Sequence, residues 1–217
     1  MLCVAYLQPD LFRHFQGGAV TYLSLRDFLD VATKTRKPRA TKVRQIRYAD
    51  PYSPVTDFYK PPRQGIVGIH KAGKSRVALG ALLQGIGDKR KLANHPLAIN
   101  GYDAWWGARQ LKWFEPPKGK YPKYGFEVSV NPELGLEING SPHVIKLYLN
   151  TIPLSAERAA LIGALMTHVV GSGAPTVILS SLDTRRSALM PAPVQSAALM
   201  ATVDSVLADI AVIWPTV

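Results

Sequence analysis

The chain has one cysteine in 217 residues, Cys3, so no disulfide can form within it. No Cys/His set has the spacing of a zinc site, and no apolar run reaches the roughly 20 residues of a membrane span. The apolar start at residues 2–7 has no basic residue before it and is cut by Gln8 and Pro9, which is not typical of a signal peptide. We therefore expect a cytoplasmic protein that folds in reducing surroundings and contacts no membrane.

Acidic residues are scarce in the first part of the chain. Residues 1–125 hold 22 Lys and Arg against 8 Asp and Glu, whereas residues 126–217 hold 4 against 7. The net charge of +11 therefore comes entirely from the first part. Such asymmetry concentrates anions near the protein and indicates a nucleic acid, DNA or RNA, as partner. The hydrophobic share of 47% excludes a disordered chain.

Composition divides the chain into four parts. Residues 1–32 are an N-terminal extension, residues 33–62 a basic arm and Pro-rich connector, residues 63–125 a basic helical region, and residues 126–217 an α/β domain. Within the arm, residues 33–47 carry seven Lys and Arg and no acid. A solvated, disordered arm and a segment that orders on phosphates both fit this composition.

Helix-capping residues predict short helices in the first part. Ser24 has the position of an N-cap, as do Ser75 before residues 76–86 and Asp88 before a helix interrupted near Pro96. Between residues 63 and 107 three short basic helices in succession resemble a helix-turn-helix-like module. The first part is therefore expected to be helical and basic.

From residue 126 the hydrophobic pattern changes to a period of two. It predicts strands at residues 126–130, 134–138 and 143–149, a helix at 156–170 capped by Ser155, a strand from 176, and a helix at 193–214. The fold class is therefore α+β: a basic helical N-terminal part followed by a three-strand antiparallel meander, helix, strand and helix.

The second and third of these strands form a predicted hairpin with a polar face. A four-residue turn at 139–142 places Glu137 opposite Val144, and Glu133 and Lys146 share the same face. Two carboxylates beside a lysine outline a divalent-metal site in which Glu133 and Glu137 hold Mg²⁺ and Lys146 orients a water. A solvent-facing sheet surface carrying Glu and Lys is the alternative.

Residues 132–148, PELGLEINGSPHVIKLY, resemble the second and third strands of the PD-(D/E)XK nuclease superfamily. The order of elements after residue 126 is similar to the α-β-β-β-α-β, restriction-endonuclease-like core of that superfamily. Segments such as SLRDFL and WFEPP also resemble a group of actinobacterial proteins, a likeness that brings no activity with it. The resemblance implies a Mg²⁺-dependent nuclease that hydrolyses phosphodiesters.

Carried over by position, the resemblance makes Glu133 the first metal-binding carboxylate and Lys146 the catalytic lysine. Val144 stands where the superfamily has an acid. Glu137 would have to supply the missing ligand from the neighbouring strand. If it does not, the fold would serve binding only, either of nucleic acid or of a partner protein or second copy.

Cations outside this hairpin are the predicted phosphate contacts. The set comprises Arg36, Lys37, Arg39, Lys42, Arg44, Arg47, Lys89, Arg90, Lys91, Arg185 and Arg186.

A third reading is a P-loop. Gly68, Gly73, Lys74 and Ser75 fit G-x-x-x-x-G-K-[ST] letter for letter, which would make the chain a nucleotide-binding protein. A P-loop needs a buried strand before the loop, and the sequence before Gly68 offers none. A polar turn between two helices is the alternative.

Overall fold

The computed structural model describes residues 20–50, 57–171, 173, 176–193 and 197–217. Cys3, the apolar start and the middle of the Pro-rich connector lie outside these residues. The helices are α1 (Leu25–Ala32), α2 (Arg36–Arg47), α3 (Lys60–Lys71), α4 (Lys89–Trp106), α5 (Ala156–Met166) and α6 (Ala197–Ile213). The strands are β1 (Thr21–Ser24), β2 (Leu111–Phe114), β3 (Gly119–Lys123), β4 (Phe126–Val130), β5 (Leu134–Ile138), β6 (Ser141–Tyr148), β7 (Ile178–Asp183) and β8 (Ala188–Pro191).

The fold is α+β with two mixed sheets. The central sheet has the order β2-β5-β6-β7-β8, in which β5 is antiparallel to β2 and β6, β7 is parallel to β6, and β8 is antiparallel to β7. The smaller sheet has the order β1-β4-β3, with β1 parallel and β3 antiparallel to β4.

Each face of the central sheet covers a hydrophobic core. Alternation along β6 sends Val144 into the first core and Ile145 and Leu147 into the second. The first core is filled by α1, α2, α5, α6 and the smaller sheet, through residues such as Val43 and Leu165. The second core is filled by α3 and α4. The helices of residues 63–125 therefore lie directly on the sheet that carries Glu133 and Lys146.

The predicted three-strand meander is wrong in one strand. Residues 126–130 form β4, which pairs with β3 and β1 and not with β5. The partner of β5 on that side is β2, whose four residues precede two prolines. Pro122 lies in the edge strand β3, where a missing N–H is tolerated.

The basic arm contains a helix. Residues 36–47 form α2, with Val43 fully buried in the first core. The helix has neither a side-chain N-cap bond nor an acid in its first turn. Its stability therefore comes from tertiary contacts and not from local propensity.

Three predicted N-caps are confirmed. The side chains of Ser24, Asp88 and Ser155 accept bonds from backbone N–H groups three residues on, at 3.0, 2.8 and 3.2 Å. Ser75 makes no such bond and precedes a 3₁₀ segment, Arg76–Leu83. Pro96 lies inside α4 without ending it, so the predicted interruption is wrong.

By length and composition alone, the segment Ala197–Thr216 is apolar enough to cross a membrane. In this fold Val203, Leu207 and Ile210 are buried in the first core. Asp204 accepts a hydrogen bond from the Tyr121 hydroxyl at 2.6 Å. These contacts pack one side of the helix against the first core.

Candidate functional site

The hairpin between β5 and β6 turns on two residues, not four. Asn139 and Gly140 both have positive φ, 48° and 89°, as in a type I′ turn. Glu137 therefore lies opposite Pro142, and Gly135 lies opposite Val144. The predicted pairing of Glu137 with Val144 is wrong by two residues, a shift that leaves every side chain on its predicted face.

Glu133 and Lys146 form a close ion pair beside the first residue of β5. The Lys146 Nζ lies 2.6 Å from Glu133 Oε1 and donates a second bond to the Asn131 carbonyl oxygen at 3.0 Å. The other carboxylate oxygen, Oε2, accepts the Leu147 N–H at 2.8 Å. The two side chains are 13% and 20% exposed, so water screens this pair only in part.

The surroundings of Glu133 are cationic. Besides Lys146, the guanidinium of Arg63 lies 4.0 Å from Glu133 Oε1 and also pairs with Asp57 at 2.7 Å. Both carboxylate oxygens are thus occupied by protein donors. A metal ion at Glu133 would have to share these oxygens with Lys146 and the Leu147 N–H.

Glu137 lies too far from Glu133 to share one ion with it. Four residues of extended strand separate them by about 13 Å. Glu137 instead lies opposite Lys112 of β2. Val144, at the position of the superfamily acid, is fully buried in apolar surroundings. Over the described ranges, no three His, Cys, Asp or Glu side chains gather as metal ligands.

A polar network lies where β6 and β7 end, and the sequence indicated only the part of it near Arg186. Asp183 is 1% exposed, accepts the Leu154 N–H at 3.0 Å, and pairs with Arg186 at 3.2 Å. Nearby, Arg158 donates to Asp30 and Thr33, both at 3.0 Å. Spacing gives no signal for it, since 128 residues separate Arg158 from Asp30.

The cations of α2 fall into two groups. On the inner side Arg39 pairs with Asp209, Arg47 donates to the Trp214 and Val217 carbonyl oxygens, and Lys42 lies 3.4 Å from Asp30. These three predicted phosphate contacts are bound internally.

The outer group consists of Arg36, Lys37 and Arg44. All three are exposed, and within the described part of the chain none forms an ion pair with an acid. Lys37 of the outer group and Lys42 of the inner group both border a shallow groove of about 380 Å³. Its lining is Lys34, Lys37, Pro38, Thr41, Lys42 and Gln45.

The remaining predicted cations lie on the α3–α4 side of the central sheet or beside it. Lys89, Arg90 and Lys91 form the first turn of α4, which packs on the second core. Arg185 donates to Asn94 of the same helix at 2.6 Å. Arg186 is held by Asp183 and by the Thr151 carbonyl oxygen at 3.1 Å. The central sheet separates this group from α2.

The P-loop motif has helical geometry. Gly68 lies inside α3, Gly73 turns the chain with a φ of 59°, and Lys74 and Ser75 lead into the 3₁₀ segment. No strand precedes the motif between residues 57 and 68. The backbone therefore lacks the strand–loop–helix that wraps a phosphate chain, and the alternative of a turn between helices is confirmed.

One histidine of α3, His70, is buried. His70 is 4% exposed, and its Nε2 lies 2.6 Å from the Tyr102 hydroxyl. Burial lowers the pKa of His70 from 6.5 to about 4. Its ring stacks on Trp106 with centroids 4.4 Å apart, so His70 is a core residue of the α3–α4 layer.

Family models, curated proteins and solved structures were all compared with this chain, and none of them matches it.

Proposed function

We propose that this protein binds a nucleic acid through the outer face of α2. The observation that carries the proposal is the split of the α2 cations into an internally paired group and the exposed Arg36, Lys37 and Arg44. A polyanion supplies the counter-charges that the fold does not.

The inner contacts of α2 fix the position of its outer face before a partner binds. Arg39, Arg47 and Val43 fix the helix against α6 and the residues that follow it. Side chains on a fixed helix lose less conformational entropy on binding than those on a disordered arm. The partner therefore meets a preformed row of cations.

A second candidate, phosphodiester hydrolysis, is favoured by one observation, the 2.6 Å Glu133–Lys146 pair. If β3 and β4 of the smaller sheet are set aside, the chain order is α4-β2-β5-β6-α5-β7, with α4 and α5 on opposite faces of the central sheet. This order supports a restriction-endonuclease-like core. Against hydrolysis stand the buried Val144 and the distance of Glu137. We propose that such a core here positions a binding surface.

Binding is tested by fluorescence anisotropy at several salt concentrations. We expect the variant R36Q/K37Q/R44Q to lose about 0.9 in log–log salt slope for each lost phosphate contact. Three contacts correspond to about 40-fold in affinity between 50 and 200 mM salt. The matched control K89Q/R90Q/K91Q removes the same charge from the other layer and should keep most of the slope. Equal losses in both variants would contradict the α2 surface.

Hydrolysis is tested by incubating the protein with labelled DNA and RNA in Mg²⁺ or Mn²⁺. We expect no cleavage. Cleavage that disappears in both Glu133→Ala and Lys146→Ala would establish the second candidate. Cleavage that survives both changes points to a contaminating nuclease or to a different site.

A further inference from the structure

The cations of α2 surround two uncharged polar side chains. Thr41 and Gln45 lie one helical turn apart, both are exposed, and both line the groove that Lys37 and Lys42 border. The nearest acids on α1, Asp27 and Asp30, lie on the Lys42 side and are paired to it.

On this face of α2 the charged side chains lie on either side of the uncharged hydrogen-bonding ones. Lys37 and Arg44 lie seven residues apart, about 10 Å along the helix axis, with Thr41 between them. Cations at the borders suit phosphates, and amide or hydroxyl groups along the middle suit base edges. A surface built only for phosphates would need no such middle row.

We infer that α2 enters the major groove of B-form DNA and that Thr41 and Gln45 contact base edges there. This inference rests on the proposed nucleic-acid binding and names the kind of nucleic acid. The B-form major groove, about 12 Å wide, admits an α-helix, whereas the A-form major groove of duplex RNA is too narrow. Single strands offer no groove for a rigid helix.

The chemistry of the two side chains sets the bases they accept. No side-chain hydrogen bond of Gln45 occurs among the described residues, so its amide is free to pair with N6 and N7 of an adenine. The Thr41 hydroxyl donates to the Lys37 carbonyl oxygen at 3.0 Å, which leaves its oxygen lone pairs and its methyl group available for contacts. These suit an amino donor or a thymine methyl group. The rise of about 6 Å between the two residues spans roughly two base pairs.

The experiment is a selection from a pool of randomised DNA duplexes, followed by anisotropy on the selected and on unrelated duplexes. We expect the wild type to enrich a motif with an adenine, and to bind duplex DNA more tightly than duplex RNA or single strands. The variant T41V/Q45A should lose roughly tenfold in affinity for the selected duplex and keep its affinity for unrelated duplexes. Helicity by circular dichroism serves as the folding control.

A change of specificity provides a readout that a structural role would not produce. Gln45→Glu keeps the side-chain size, accepts a hydrogen bond from cytosine N4 and repels adenine N7. We expect selection with this variant to exchange the adenine for cytosine. By contrast, Lys37→Gln should weaken binding to all duplexes alike.

The outcomes separate the two proposals. Binding without any enriched motif, a motif unchanged in T41V/Q45A, or preference for RNA or single strands overturns the major-groove inference and leaves nucleic-acid binding intact. No binding to any nucleic acid overturns both.

Discussion

Acid should destabilise this protein through His70. The imidazole lies in the second core, bonded to Tyr102 and stacked on Trp106. An imidazolium at this position would lose most of its hydration, which is why burial lowers the pKa of His70 to about 4. The unfolded chain restores the ordinary pKa of about 6.5.

The sign of the effect follows from proton binding. Above pH 6.5 His70 is neutral in the folded and unfolded chain and adds no pH dependence. Between pH 6.5 and 4 only the unfolded chain binds the proton, so the free energy of unfolding falls as the pH falls. The interval of about 2.5 pH units corresponds to a loss of about 3 kcal/mol by pH 4.

Urea denaturation of the wild type and of His70→Gln, from pH 7 to pH 4.5, isolates this contribution from that of the carboxylates. The variant has no imidazole to titrate, so the wild type should lose about 2.5 kcal/mol more than the variant over this range. Parallel losses would mean that native His70 takes up a proton freely, and the argument from burial would be wrong.

Further predictions concern two glycines, the P-loop motif and the two acids of the hairpin, and changes in stability are measured as shifts of the urea midpoint. Gly101→Ala brings a Cβ to 2.0 Å from the Thr184 carbonyl oxygen and should cost about 3 kcal/mol, whereas Gly68→Ala meets nothing within 4 Å and should gain about 1 kcal/mol. Millimolar Mg²⁺-ATP should not raise the melting temperature of the wild type or of either glycine variant. A rise would support nucleotide binding at the P-loop motif. Glu133→Gln keeps an acceptor for the Leu147 N–H but removes the charge beside Lys146, so we expect a loss of about 1–2 kcal/mol. Glu137→Gln should change the free energy of unfolding by less than about 0.5 kcal/mol. A larger loss would mean that the Glu137 charge makes a stabilising contact in the fold.

Local patterns predicted the faces of the hairpin but not its register. The period of two placed Leu136 on one face and Glu133 and Lys146 on the other, and the fold agrees. Pro142 reads as a turn residue, so a four-residue turn was expected. A shift of two residues preserves every face, and hydrophobic patterning alone therefore cannot detect it.

Long-range pairings were beyond the reach of the sequence. Strand β1 pairs with β4 across about 100 residues of chain, through backbone bonds that no side-chain pattern records. The same holds for Arg39, whose partner Asp209 lies on the last helix. The excess of Lys and Arg in residues 33–47 predicted phosphate contacts along this segment. Only the tertiary contacts show which of these cations are paired within the fold and which are exposed.

The start of α2 supports the proposal that its exposed cations bind a partner. Arg36 opens the helix with a φ of 50°, an unfavourable conformation for a residue other than glycine, and it stands with Lys37 at the helix end where the dipole disfavours cations. No side-chain cap or first-turn acid offsets these costs. The helix persists because Val43 and the inner arginines hold it against α6. Local unfavourable features held in place by the surrounding fold are typical of functional surfaces, because stability alone would favour their replacement.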